Sequence, residues 1–368
     1  MEPVTLGTAT GRWSGIGPYY AMFPTEFAFW VVSRFTRPGD AVLDPFAGRA
    51  SSVYAAATTG RTGLGVEVNE VGWLYGRAKV HPARSVRPVL ARLDEVGEHA
   101  RALRRRPPAE MREFWNLCYT PRVYRFLEAC RELLGWRTGV VDATLMAVIL
   151  VYLHGKRKDS LSNQMRHAKA MHPHYSVRWW TERGLGPPDV DPIAFLRQRI
   201  EWRYAKGVPE LADARVVLGD SREVLPRIAE QGRPAPAASY DLLFTSPPYC
   251  GVTNYECDQW LRLWMLGGPP RPAHSGDFTR GRLYDRQRYA SLLHDVFGAC
   301  APMMARNAVV YVRTDAREFT RDTTIAALRA AFPRKRLETI DSPYNKSTQT
   351  ALYGDHSPKP GEVDVILT

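Results

Sequence analysis

Short unbroken apolar runs, each closed by a polar or small residue, mark both ends of this chain: Ala41-Val42-Leu43-Asp44, Gly63-Leu64-Gly65-Val66-Glu67, Val216-Val217-Leu218 and Tyr240-Asp241-Leu242-Leu243-Phe244. Runs of this length without strict alternation predict strands buried on both faces, as in a parallel sheet covered by helices. Val309-Val310-Tyr311-Val312-Arg313 and Val363-Asp364-Val365-Ile366-Leu367 predict two late strands with a helix over 323–332 between them. The middle of the chain changes period. Val123, Phe126, Leu127, Cys130 and Leu134 fall at helical spacing behind Thr120-Pro121, residues 142–153 predict a buried helix, and Phe195, Leu196, Ile200 and Tyr204 form an apolar stripe beside Arg197, Arg199 and Arg203. His81-Pro82, Arg87-Pro88 and Gly207-Val208-Pro209 supply breaks at the edges of this region. The pattern divides the chain into 1–79, a mainly helical insert at 80–212, and 213–368, the outer parts forming two halves of one α/β sheet.

Candidate chemistry sits where the apolar runs end. The first strand leads into Asp44-Pro45-Phe46-Ala47-Gly48-Arg49-Ala50-Ser51-Ser52 and then the small-residue helix at 53–59, a strand, loop and helix suited to a nucleoside cofactor. The second run ends at Glu67, 23 residues after Asp44, near the separation at which a Rossmann-type acid reaches ribose hydroxyls. Asn69 follows it, and a third acid, Asp220 beside Ser221, closes another short run. The fourth run leads into Thr245-Ser246-Pro247-Pro248-Tyr249. Two prolines fix φ and remove two backbone donors, so Ser246, Tyr249 and nearby carbonyls can address one planar amine. Taken alone, a proline pair after a strand is equally a plain chain reversal at a sheet edge.

The elbow and the cofactor loop together resemble those of the DNA methyltransferases that methylate N4 of cytosine or N6 of adenine with S-adenosylmethionine. The resemblance covers 18–79 and 213–368. It implies an α/β, Rossmann-like class I methyltransferase fold carrying the helical insert. It implies that Ser246, Pro247, Pro248 and Tyr249 grip a flipped base. Asp44, Pro45, Phe46, Ala47, Gly48, Glu67, Asn69, Asp220 and Ser221 would hold S-adenosylmethionine, with Asp220 at the adenine amine. Phe23 and Pro24, in Tyr20-Ala21-Met22-Phe23-Pro24 before a helix at 25–35, would line its methionine end; an ordinary packing helix is the other reading there. Ser before the prolines favours N4 of cytosine, with N6 of adenine as the alternative. One departure stands out, because the family continues its loop with a second glycine where this chain has Ala50. A non-catalytic DNA-binding protein on a decayed methyltransferase fold is therefore the alternative from another class.

Composition narrows the partner. Net charge is +12 with a sequence pI of about 9.6, and residues 80–210 hold 23 Lys and Arg against 14 Asp and Glu, an excess that suits double-stranded DNA or, equally, a surface that only keeps a protein soluble. Within it, Lys156, Arg157, Lys158, Ser162, Asn163, Gln164 and Arg166 mix phosphate-binding cations with side chains that pair to base edges. The other reading is a solvated loop with Ser160 or Ser162 as a helix cap. Trp179, Trp180 and Trp202 can stack on bases or pack the insert. Asn254, Tyr255, Asp258, Trp260 and Trp264 are expected to shape the pocket wall, and 271–288 to form a loop over DNA. His167, His172 and His174 lack partner ligands at regular spacing, so no metal is expected. Five cysteines without a Cys-x-x-Cys pair fit a reducing cytoplasm. No apolar stretch is long enough to span a bilayer. A cognate restriction or phage-defence component is a compatible partner.

Overall fold

The computed structural model describes residues 4–18, 23–231, 237–251, 255–272, 285–342 and 361–368. Its centre is a seven-stranded sheet in the order β3-β2-β1-β4-β5-β7-β6. The strands are β1 (Ala41–Asp44), β2 (Thr62–Glu67), β3 (Ala214–Leu218), β4 (Tyr240–Thr245), β5 (Met304–Asp315), β6 (Leu337–Ser342) and β7 (Glu362–Leu367). The first five are mutually parallel, whereas β7 runs antiparallel between β5 and β6. This strand order, with its reversed seventh strand, is an α/β Rossmann-like sheet, as the resemblance implies. Strand order reverses between β1 and β4, which is where open α/β sheets place their ligands.

Both faces of the sheet are covered, which is why its strands read as continuous apolar runs. Val42, Leu242, Phe244 and Tyr311 join one core; Leu43, Leu243, Val310 and Val312, one residue along, join the other. Helices α1 (Ala9–Ser14), α2 (Thr25–Phe35), α3 (Ser51–Thr58) and α4 (Glu70–Val80) precede the middle region. That region contains α5 (Val86–Ala102), α6 (Arg112–Cys118), α7 (Pro121–Leu133), α8 (Val140–Tyr152), α9 (Pro173–Thr181) and α10 (Pro192–Tyr204). Thr120 caps α7 through its side chain and Asp191 caps α10, each followed by proline at the first turn.

Helix α11 (Ser221–Gln231) lies before the elbow, and α12 (Tyr255–Asp258), α13 (Trp260–Met265), α14 (Arg286–Cys300) and α15 (Glu318–Ala331) lie behind it. Trp264 on α13 is fully buried, its ring centroid 4.4 Å from that of Trp115 on α6. Trp264 lies wholly in the core shared with the helical region, which corrects the expectation that it shapes a pocket wall, whereas Trp260, mostly buried in the same core, lines a cavity with Asp258, Arg166 and Tyr175. A seam of hydrogen bonds fixes this arrangement: Asp258 O accepts from Ala170 N at 2.8 Å, Gln259 Nε2 donates to Ala168 O at 3.1 Å, and Arg262 donates to His167 O at 2.7 Å and Leu150 O at 3.0 Å.

Trp180 is likewise buried, while Trp202 stays partly exposed under the Arg12 guanidinium, 4.6 Å from its ring centroid. Asn254 and most of the expected loop at 271–288 lie outside the described residues, as do Tyr20, Ala21 and Met22. Among the described residues no helix is long and apolar enough to cross a membrane.

Candidate active site

The loop and the elbow leave the sheet at neighbouring C-terminal strand ends. Val42 and Leu43 on β1 pair in parallel with Leu242 and Leu243 on β4, so Asp44 and Thr245 emerge side by side. Thr245 donates its hydroxyl to Asp44 Oδ1 at 2.6 Å, Ser52 donates to Asp44 Oδ2, and Phe46 N donates to Oδ1 at 3.1 Å. Burial pushes the Asp44 carboxyl up to about 6, against the lowering effect of these donors. Asp44 thus ties β1, the start of α3 and the end of β4 into one unit.

The loop itself is fixed by Glu67. Its buried carboxylate accepts from Gly48 N at 2.7 Å and Asn69 N at 2.7 Å, and burial raises it to about 8 despite those bonds. Asn69 is occupied locally as the side-chain cap of α4, accepting from Val71 N at 2.9 Å. Ser221 donates to Pro45 O, drawing the β3 turn onto the same loop. Asp220 is gripped by its neighbour Arg222, which donates to it at 3.0, 3.1 and 2.6 Å from the backbone N, Nε and Nη2.

Ala50 adopts φ 56° and ψ 47°, the one positive-φ residue other than glycine among those described. The position that departs from the family pattern does occupy the left-handed region, at a cost of roughly 1–2 kcal/mol. Neighbouring glycines accommodate its side chain and the tight turn. A Cβ on Gly76 would stand 2.9 Å from the Ala50 Cβ, and one on Gly72 would stand 2.8 Å from the Gly48 carbonyl oxygen. Helix α4 therefore carries two glycines facing the loop. Gly48 has open space around the place of its missing Cβ, which leaves room for a ligand over the loop.

Arg49 was not among the expected site residues. It is 7% exposed, and its guanidinium donates to Ser14 O at 3.3 Å, Gly17 O at 3.2 Å and Phe23 O at 3.4 Å. Burial lowers it to about 10. It binds the segment before α2 to the cofactor loop, while the Phe23 ring stacks on Phe244 with centroids 4.7 Å apart. Pro24, exposed, lies at the N-cap of α2. A lone arginine in a run of small residues was the available signal.

At the elbow, Pro247 is buried, and Ser246, Pro248 and Tyr249 are half-buried. Ser246 Oγ lies 3.5 Å from the Tyr249 hydroxyl, which donates to Glu362 Oε1 at 2.9 Å. Glu362 starts the reversed strand β7 and faces Arg313 of β5 at 3.5 Å; Arg313 also makes two 2.7 Å bonds to Asp364. No local pattern marked Glu362, because it reaches the elbow only through long-range strand pairing.

The basic loop stands apart from this centre in sequence and divides by exposure. Lys156, Arg157 and Lys158 are exposed, and Arg166 is half-buried. Ser162 and Asn163 are fully buried, which corrects their assignment to DNA contact. Asn163 Nδ2 donates to Leu117 O and Leu185 O at 2.9 Å each, and Ser162 Oγ donates to Asn163 O at 2.6 Å. Gln164 accepts from Arg157 N at 3.0 Å and so shapes the same loop. These polar side chains satisfy backbone groups that burial would otherwise leave unpaired.

The chain is similar to the rRNA methyltransferase aviRa from Streptomyces viridochromogenes, at 12% identity over 99% of this chain and 90% of that one, with a TM-score of 0.34. It is similar to a putative methyltransferase, SMU.776, complexed with SAH, at 9% identity over 94% of this chain and a TM-score of 0.36. A putative SAM-dependent methyltransferase from Streptococcus mutans matches at 9% identity over 94% of this chain, with a TM-score of 0.35. The chain spans 48% and 47% of the lengths of these last two proteins. No family model matches the chain, and no curated protein does.

Proposed function

We propose that this chain is an S-adenosylmethionine-dependent methyltransferase acting on the exocyclic amine of a base in double-stranded DNA, with N4 of cytosine as the favoured position. The observation that carries the reading is the 2.6 Å bond from Thr245 to Asp44, which joins the start of the cofactor loop to the strand that ends in the elbow. Both segments leave the same edge of the sheet at its switch point.

The residues present fit the cofactor. Gly48 opens space over the loop. Glu67 retains lone-pair capacity for ribose hydroxyls beyond the backbone donors of Gly48, Val68 and Asn69 that it already serves. Phe23 and Pro24 would flank the methionine end. When bound, the cofactor supplies a methyl group on a sulfonium. Tyr249 would stack on the extruded base, and Ser246 with the Pro247 carbonyl would accept the amine hydrogens, turning the nitrogen lone pair toward the donor. The acceleration comes chiefly from positioning. Exposed Lys156, Arg157 and Lys158 would neutralise phosphates.

Transfer of tritium from labelled S-adenosylmethionine to duplex DNA, to RNA and to protein tests the reading, followed by nucleoside analysis of the product. The expected product is N4-methylcytosine in DNA, abolished by Ser246→Ala. N6-methyladenine would move the target atom, label in RNA or protein would replace the substrate, and binding of DNA without any transfer would favour the decayed-fold alternative.

A further inference from the structure

We infer that Glu362 ends a hydrogen-bonded chain, Ser246 to Tyr249 to Glu362, that makes Ser246 an effective acceptor for the target amine and takes up the proton which methylation releases. The inference rests on the function proposed above and adds a positioning residue to it.

A neutral serine hydroxyl is a weak proton acceptor, so an amine held by Ser246 alone gains little nucleophilicity. The geometry supplies what it lacks. Ser246 Oγ stands 3.5 Å from Tyr249 Oη, and the phenol donates to Glu362 Oε1 at 2.9 Å. With a carboxylate at the far end each bond polarises the next. As the nitrogen lone pair forms the new N–C bond, the C–S bonding pair stays with sulfur and the nitrogen becomes cationic. It then gives a proton to Ser246 Oγ while Ser246 passes its own to Tyr249 and Tyr249 passes its own to Glu362. The product amine is neutral, the chain is shifted by one proton, and Glu362 returns that proton to solvent; its side chain is 26% exposed.

The surroundings suit a carboxylate in this place. Arg313 of β5 faces Glu362 at 3.5 Å and is itself held by Asp364, two residues further along β7. Asp315 stands opposite Glu362 in the β5–β7 register, but its carboxylate is taken by Arg317. The Arg313 guanidinium also lies 3.5 Å from the Phe27 ring centroid, a further contact that favours this position. Glu362 is thus presented to the elbow by two paired strands rather than by a loop.

Glu362→Gln keeps an acceptor oxygen for the phenol and removes the negative charge. Tyr249→Phe keeps the stacking ring and removes the same link without touching β7. In single-turnover transfer to duplex DNA, each variant is expected to lose on the order of 10²-fold in rate, and the double variant no more than either alone. The KM for DNA and calorimetric binding of S-adenosylhomocysteine should stay within about threefold of the parent chain. Glu362→Gln at the parent rate, or losses that multiply in the double variant, overturns the inference while leaving the methyltransferase reading intact. If Glu362→Gln loses cofactor binding or folding, Tyr249→Phe decides, and a parent-like rate for it is equally fatal. A parent chain that transfers no methyl group to any nucleic acid refutes the functional reading and this inference with it.

Discussion

Thr245 and Asp44 are joined by a 2.6 Å hydrogen bond although 201 positions separate them in sequence. Asp44 is buried and also receives the Ser52 hydroxyl, so two side-chain donors hold one carboxylate whose burial raises it to about 6. Thr245→Val and Ser52→Ala each leave that carboxylate one donor short. Each is expected to destabilise the fold by about 1–3 kcal/mol, measured by urea unfolding. The acidic titration of Asp44 should move upward in both, since the missing donor had been lowering it. Unchanged stability in both variants would show that the bond does not hold the two segments together.

Ala50 tests the loop. Ala50→Gly relieves left-handed strain of roughly 1–2 kcal/mol and loses roughly 0.5–1 kcal/mol through the freer unfolded chain. The net expectation is a small gain in stability with tighter binding of S-adenosylhomocysteine. Gly76→Ala is expected to do the opposite, by about 1–3 kcal/mol, because its Cβ would meet that of Ala50 at 2.9 Å and the Val216 side chain at 3.0 Å. Combining Gly76→Ala with Ala50→Gly should recover only part of the loss, the remainder reporting the Val216 contact at 3.0 Å.

The buried carboxyls Asp44 and Glu67 make stability depend on pH. Their folded values of about 6 and about 8 lie above the ordinary 3.8 and 4.5, so the folded chain holds these protons more tightly than the unfolded one. Their contribution is full below about pH 4 and is lost as pH rises through 6 and then 8, each tenfold difference in proton affinity amounting to about 1.4 kcal/mol. Melting temperatures measured from pH 5.5 to 8.5 should carry a falling component that Glu67→Gln removes. An identical pH slope in the variant would refute the assignment to Glu67.

The basic loop gives a prediction with two halves. Replacing Lys156, Arg157 and Lys158 by alanine should leave the melting temperature in place and reduce the slope of log affinity for duplex DNA against log salt, by about 0.9 for each phosphate no longer neutralised. Asn163→Ala should instead lower stability by about 1–3 kcal/mol, because the carbonyls of Leu117 and Leu185 lose their donor. Weakened DNA binding by Asn163→Ala with unchanged stability would return that residue to the DNA-facing surface.

Much of the sheet was legible because its strands are buried on both faces and therefore read as apolar runs. The helix from Thr25 to Phe35 matched residue for residue, and the strand expected at 309–313 proved to be the middle of Met304–Asp315. β6 was not legible: Glu338, Thr339, Ile340 and Asp341 are exposed on an edge strand, so burial imposed no pattern. Of the candidate site, the acids and the elbow could be proposed from local motifs, whereas the contacts of Arg49 and Glu362 could not. Their partners are carbonyls and a phenol brought near by tertiary packing. Ser162 and Asn163 misled for a related reason, because a side chain suited to pair with a base is equally suited to pair with a buried backbone.

The seam between residues 167–170 and 258–262 bears on how such a protein diversifies. The helices between β2 and β3 pack against Trp264 and Arg262 of the segment behind the elbow, so they are not a cassette that can be exchanged for another and leave the elbow's support untouched. A transplanted helical region would arrive without the Leu150 and His167 carbonyls that accept from Arg262 and without a cavity for Trp264, leaving a buried guanidinium with only Gln259 as acceptor. If the proposed function holds, changes of target preference would come from point changes on the exposed Lys156–Lys158 loop rather than from wholesale grafting.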